Sequence, residues 1–142
     1  MSSMRELPDN NYDEARRWLA NTDDDLRAMH ALAREPEAPG RIICFLAHLA
    51  VEKALKATLI DAGVPFKNTH DLVALHAMCA HSGRLTDVGT EELVLLSPWG
   101  IDGRYADDLV DAERSLASRL ADFAERLVEA VHQILEEPDG GQ

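Results

Sequence analysis

The sequence predicts an all-α fold, an up-and-down antiparallel helical bundle of about five helices, close to a four-helix bundle. Three observations lead there. Alanine and leucine are abundant and aromatics make up only 5% of the 142 residues, and both abundant types are strong helix formers. Three long segments repeat apolar residues at three- and four-residue spacing, the period of a helix with a buried face. No segment alternates polar and apolar residues over the length of a strand, and no internal repeat or low-complexity tract appears. A chain of this length makes one domain and buries roughly 68% of its unfolded surface without disulfides or metals.

The first helix is expected after Pro8, with Asp9 or Asn10 as cap, and runs to about Arg34. Trp18, Leu19, Leu26, Met29 and Leu32 recur on one face. Residues 1–8 before it are read as a flexible N-terminus. The loop EPEAPG, with two prolines and a glycine, breaks the pattern. A second helix spans about 41–62, striped by Ile42, Phe45, Leu46, Leu49, Leu55 and Leu59, and stops at Gly63, with Pro65 just beyond. Thr69 is placed as the cap of a third helix over Leu72 to about His81, with Asp71 in its first turn. A short fourth helix is expected near Asp87 to Leu96, ended by SPWG. The last and longest should run from about Ala106 to Glu136. Leu109, Leu116 and Phe123 alternate there with Ala112, Leu120, Leu127 and Ile134 at heptad-like spacing. The bundle thus covers 9–137, and 138–142 reads as a disordered tail. Long apolar stripes on so small a bundle predict a homodimer that covers one face.

Charge narrows the function. The formal net charge is −12. Residues 1–86 carry 10 basic and 12 acidic side chains, residues 87–142 carry 4 and 14, so no basic face exists for duplex DNA. A local site for one nucleotide or a small RNA element remains compatible with that balance. No apolar run approaches the ~20 residues that cross a bilayer. The first residues lack the apolar core of a signal peptide. Two cysteines, Cys44 and Cys79, form no paired framework. Together these predict a cytoplasmic protein with no membrane contact.

All three lysines, Lys53, Lys56 and Lys67, fall within fifteen residues, while elsewhere the cations are arginines. Glu52 and Lys56 are four apart in the favourable order on the second helix. Glu52, Lys53 and Lys56 read either as a solvated polar face or as charges in a groove between helices. His70 and Asp71 open the third helix, where an imidazole and nearby lysines suit an anion, or where one caps and the other packs. Arg104 and Tyr105 begin the last helix; a guanidinium beside an aromatic suits phosphate and base, or a salt bridge at the bundle end. His76, Cys79 and His81 lack the spacing of a zinc site, and no metal or cofactor is expected. No Ser/His/Asp order, glycine-rich phosphate loop or paired-cysteine motif is present.

These residues resemble the HEPN domain, a family of prokaryotes and eukaryotes named for proposed nucleotide binding. The pattern is a tryptophan in the first helix, an A-x-E-K-A-L-K-A helix, a glycine stop, T-H-D-L and a later R-Y. Here it is Trp18, Ala50 to Ala57, Gly63, Thr69-His70-Asp71-Leu72 and Arg104-Tyr105. The order agrees over roughly residues 12–135. The resemblance implies a helical bundle that dimerises and often partners a small nucleotidyltransferase, as in toxin–antitoxin systems. Many relatives are RNases in which four to six residues separate an arginine from a following histidine near the start of a late helix. In this chain Leu109, Val110 and Asp111 stand at those positions after Arg104. Arg41 and His48 match that spacing literally, but within the second helix, the wrong place for the motif. Relatives also carry polar residues where this chain has Leu46, His48 and Leu49, which changes any ligand preference.

The expected function is therefore a non-catalytic dimeric module, a nucleotide-binding or partner protein of a nucleotidyltransferase. Its candidate ligand residues are Glu52, Lys53, Lys56, His70, Arg104 and Tyr105. The rivals are an RNase with an altered site, using His48 or His70 as base and Arg104 as phosphate clamp, and a structural dimer whose charges are ion pairs.

Overall fold

A computed structural model describes the backbone of residues 2–100 and 111–136 and the side chains of 11–100 and 111–136. Its elements are α1 (Ser2–Ala33), α2 (Gly40–Ala62), α3 (Leu72–His81), α4 (Thr90–Leu96), a 3₁₀ turn (Ser97–Trp99) and α5 (Arg114–Glu136). No strand occurs among the described residues. The all-α bundle expected from the sequence is what forms.

Helix α2 is the axis of the bundle. Of its 23 residues, 14 are buried, so it is covered on nearly every side rather than along one stripe. The stripe expected from large apolar residues is only partly right. Leu55 and Leu59 are sealed, but Ile42, Phe45, Leu46 and Leu49 are half-buried. The tightest face is instead Ile43, Cys44, Ala47, Ala50, Val51 and Ala54. Small residues let neighbouring helix backbones approach closely, so the narrow side chains mark the innermost face.

The other long helices pack along α2. Lys53 meets Asp25 and Gly63 lies near Asn11, so α1 runs antiparallel to α2. His132 meets Asp23 and His30 meets Glu125, so α5 also runs antiparallel to α1. It follows that α5 runs parallel to α2. The chain achieves this by returning through α3 and α4 to the N-terminal end of α2. In α5 the buried residues Ala117, Leu120, Ala121, Ala124, Leu127, Val128, Val131 and Leu135 form one stripe, opposite exposed Arg119, Asp122, Arg126 and Glu129. Leu116 and Ile134 of the expected seam are half-buried.

Helix ends differ from expectation in three places. First, α1 begins at Ser2 and passes through Pro8, so residues 2–8 are helical; proline's fixed φ is itself helical. Second, Thr69 does not cap α3. Asp71 does, its carboxylate accepting from Ala74 N–H at 3.1 Å, while Thr69 Oγ1 accepts from Asp71 N–H. Third, α5 begins at Arg114, and residues 111–113 lie outside it with no regular structure. Leu109 lies outside the described residues, as does the expected 138–142 tail. The stop at Gly63 is as expected: its φ of 72° is left-handed, and the Gly63 and Val64 N–H groups turn back to the Ile60 and Leu59 carbonyls. No described helix is long and apolar enough to cross a membrane.

Candidate functional site

Helix α2 projects Glu52 and Lys56 one turn apart into the bundle. Both are buried, Glu52 at 6% and Lys56 at 3% exposure. That excludes the solvated-face reading for this pair. Lys56 Nζ donates to Glu52 Oε2 at 2.9 Å, and His70 Nδ1 lies 2.8 Å from the same oxygen. An ionised carboxylate only accepts, so His70 carries its proton on Nδ1. The turn Thr69–Asp71 delivers His70 there, because Asp71 must point back into α3 to cap it. On the far side of the carboxylate, His48 Nδ1 stands 3.7 Å from Glu52 Oε1, beyond hydrogen-bond reach. The indole of Trp18, from α1, covers the ammonium, with Lys56 Nζ 5.9 Å from the ring centre. One carboxylate is thus ringed by groups from α1, α2 and the α2–α3 turn. Such a buried pair requires near-ideal geometry and further donors to offset desolvation, and His70 supplies one.

Lys53 does not join this centre. Its ammonium leaves α2 on the α1 side and lies 2.9 Å from Asp25 Oδ2. It also lines a groove of about 450 Å³ with Glu14, Arg17, Trp18 and Asn21. A second hollow of about 510 Å³ continues it past Asn11 and Ile60 to Val64, Pro65 and Phe66, sharing Glu14 and Trp18. Lys67 is exposed in the α2–α3 turn. The six predicted site residues therefore divide. Glu52, Lys56 and His70 come together, Lys53 serves the neighbouring groove, and Arg104 and Tyr105 lie outside the described residues.

His48 is 1% exposed, packed so that a Cβ at Gly100 would stand 2.5 Å from its Nε2. His48 is thus enclosed among packed groups rather than presented at the surface. His76 Nε2 bonds the Leu85 carbonyl at 2.8 Å, and the Cys79 thiol donates to the Leu55 carbonyl. Among the described residues no cluster of three potential ligands could hold a metal. Leu85 itself has a left-handed φ of 57°, held between that histidine bond and the Arg84–Asp61 ion pair.

Two residues escaped the sequence reading. Asp25 is one of a run of three aspartates, with nothing local to single it out. Asp111, at one of the three positions where a catalytic histidine would stand after Arg104, accepts from the Arg41 N–H at 2.9 Å. The residue before α2 is Pro39, which has no side-chain acceptor. Asp111 therefore caps α2 from 70 residues away. That bond, above all, holds its carboxyl below the usual range. A Cβ at Gly40 would collide with the Ala112 carbonyl, so this close approach requires glycine.

No curated protein and no solved structure matches this chain significantly. The sequence model of the HEPN domain, in contrast, matches residues 15–135. That span holds the Trp18 helix, the Glu52–Lys56 pair and the His70 turn, and it places the chain in the HEPN domain family.

Proposed function

We propose that this HEPN domain is a non-catalytic binding module, acting as a dimer beside a nucleotidyltransferase and contacting a nucleotide or RNA. The observation that carries the reading is the fate of the cations on α2. Glu52 engages Lys56 and His70 inside the bundle, which makes that centre a support for the helix. Lys53, half-buried on the other side, is left beside an open groove. Asp111 supports the absence of catalysis, since a residue in the place of the catalytic histidine is spent on capping α2. The half-buried stripe Ile42, Phe45, Leu46 and Leu49 supports dimerisation through α2.

Calorimetric titration with ATP, GTP and short RNAs tests the binding half. Binding of at least one is expected, and no heat at millimolar ligand overturns it. Sedimentation tests the dimer: a concentration-independent monomer, with or without a nucleotidyltransferase partner, would end that part.

A second reading has one specific observation. His70 is partly exposed and its ring is oriented through Nδ1 by a buried carboxylate, the way a general base is fixed in hydrolytic sites. RNA cleavage by the wild-type protein, lost in His70→Ala and in Arg104→Ala, would favour an RNase over a binding module.

A further inference from the structure

The groove between α1 and α2 has the chemistry of a ligand site, and it is separate from the buried Glu52 centre beneath it. Trp18, half-buried, lines it. The Lys56 ammonium lies over the indole ring, 5.9 Å from its centre. A cation on one side of an aromatic ring draws π density toward itself. The remaining surface is then less negative and better suited to stack against an electron-rich planar ring. Arg17, one residue earlier, is exposed, and among the described residues it makes no hydrogen bond or ion pair. A guanidinium so placed presents a planar fork for a phosphate or carboxylate. Lys53, from α2, lines the same groove and is held by Asp25. On the same stripe of α1, Glu14 and Asn21, both exposed, offer an acceptor and an amide. The hollow's volume of about 450 Å³ falls in the range of small-molecule sites.

We infer that this groove binds a nucleoside monophosphate unit, its base stacked on Trp18 and its phosphate on Arg17 and Lys53. The inference rests on the nucleotide reading above and deepens it by naming where the ligand sits and which part of it is read. Glu14 selects the base. A carboxylate accepts from ring N–H and amino groups, so a guanine, which presents both on one edge, fits better than a uracil, which presents no amino group. Carboxylates at Glu14 and Asp25 also reject a bare anion, so phosphate alone is bound weakly. The same groups explain how a protein of net charge −12 offers an anion a foothold: the site takes a base first and a phosphate second.

The test uses the full chain carrying Trp99→Phe, which leaves Trp18 as the sole tryptophan. Guanosine 5′-monophosphate is titrated while indole fluorescence is followed, in parallel with calorimetry. Uridine 5′-monophosphate, guanosine and ribose 5-phosphate are the comparison ligands. Saturable quenching by the guanine nucleotide is expected, weaker for the uridine nucleotide. Arg17→Gln, a change on an exposed helix face, is expected to weaken binding roughly tenfold, the effect of one charge-assisted contact, with guanosine affinity unchanged. Ribose 5-phosphate binding as tightly as the nucleotide would overturn the stacked base. Nucleotide binding seen by calorimetry with unchanged Trp18 fluorescence and unchanged affinity in Arg17→Gln would overturn this groove while leaving the nucleotide reading standing. No binding of any ligand by either method overturns both.

Discussion

Glu52 concentrates the chemistry of the buried centre in one carboxylate, which engages Lys56 and His70. Glu52→Gln leaves the Lys56 ammonium buried without a counter-charge, and breaking a buried pair from one side costs about 3–5 kcal/mol. Urea unfolding should show a loss of that size. The double variant Glu52→Gln/Lys56→Met should recover much of it, because an apolar chain of similar volume removes the stranded charge. A double variant no more stable than the single one would mean that the pair is not the source of the effect. From sequence the pair was legible as i,i+4 spacing, whereas His70 was read as an anion-site candidate or a packed imidazole and its contact with Glu52 was not. Nor was the burial of the pair, because the same spacing occurs on solvated helices at roughly 0.2–0.5 kcal/mol. Lys53 shows the same limit: three residues from Lys56, it turns to a different helix and pairs with Asp25.

At the scale of elements, the two caps behave differently because one is local and one is not. Asp71 caps α3 within its own turn, and Asp71→Ala should cost about 1 kcal/mol in unfolding free energy. It should also loosen His70, which the same turn positions. Asp111 caps α2 from a distant segment, and its carboxyl is held below the usual value first by the Arg41 N–H bond, then by the Ala112 N–H bond and the neighbouring arginines. A depressed carboxylate contributes stability above its unfolded pKa of about 3.9, lost as pH falls through the folded value. The wild-type protein should therefore lose stability on acidification more steeply than Asp111→Asn in that window, as read by thermal melts across pH. Equal slopes would show that the bond contributes nothing in solution. The T-H-D-L segment announced a helix start correctly, but chose Thr69 over Asp71. Both residues are good caps, and only the path of the chain entering α3 decides between them. The late start of α5 was illegible for a different reason, since helical spacing continues through Asp111, whose carboxylate caps α2.

For the whole molecule, the sealed axis of the bundle can be read through its two thiols. Burial, with a smaller push from Asp111, raises Cys44 to about 11, and burial raises Cys79 to about 12, both from an ordinary 9.0. The reactive form is the thiolate, so iodoacetamide at pH 8 should modify neither cysteine in the native protein, and both rapidly in urea. Fast labelling of either under native conditions would show that α2 is not sealed. The sign of the linkage is also fixed. Above pH 9 the unfolded chain releases thiol protons that the folded one keeps, so stability falls as pH rises from 9 toward 11 and 12.

By itself the sequence determined the helices, the glycine stop at Gly63, the family and the residues worth watching. Each of these depends on neighbours within about one or two turns, where spacing and capping act. Only the tertiary structure decided which face of α2 is innermost, that Glu52 gathers Lys56 and His70 while Lys53 leaves for Asp25, and that Asp111 caps a helix 70 residues away. Those outcomes depend on how closely helices approach and on which charges lose water together. Neither quantity is local to any stretch of the chain.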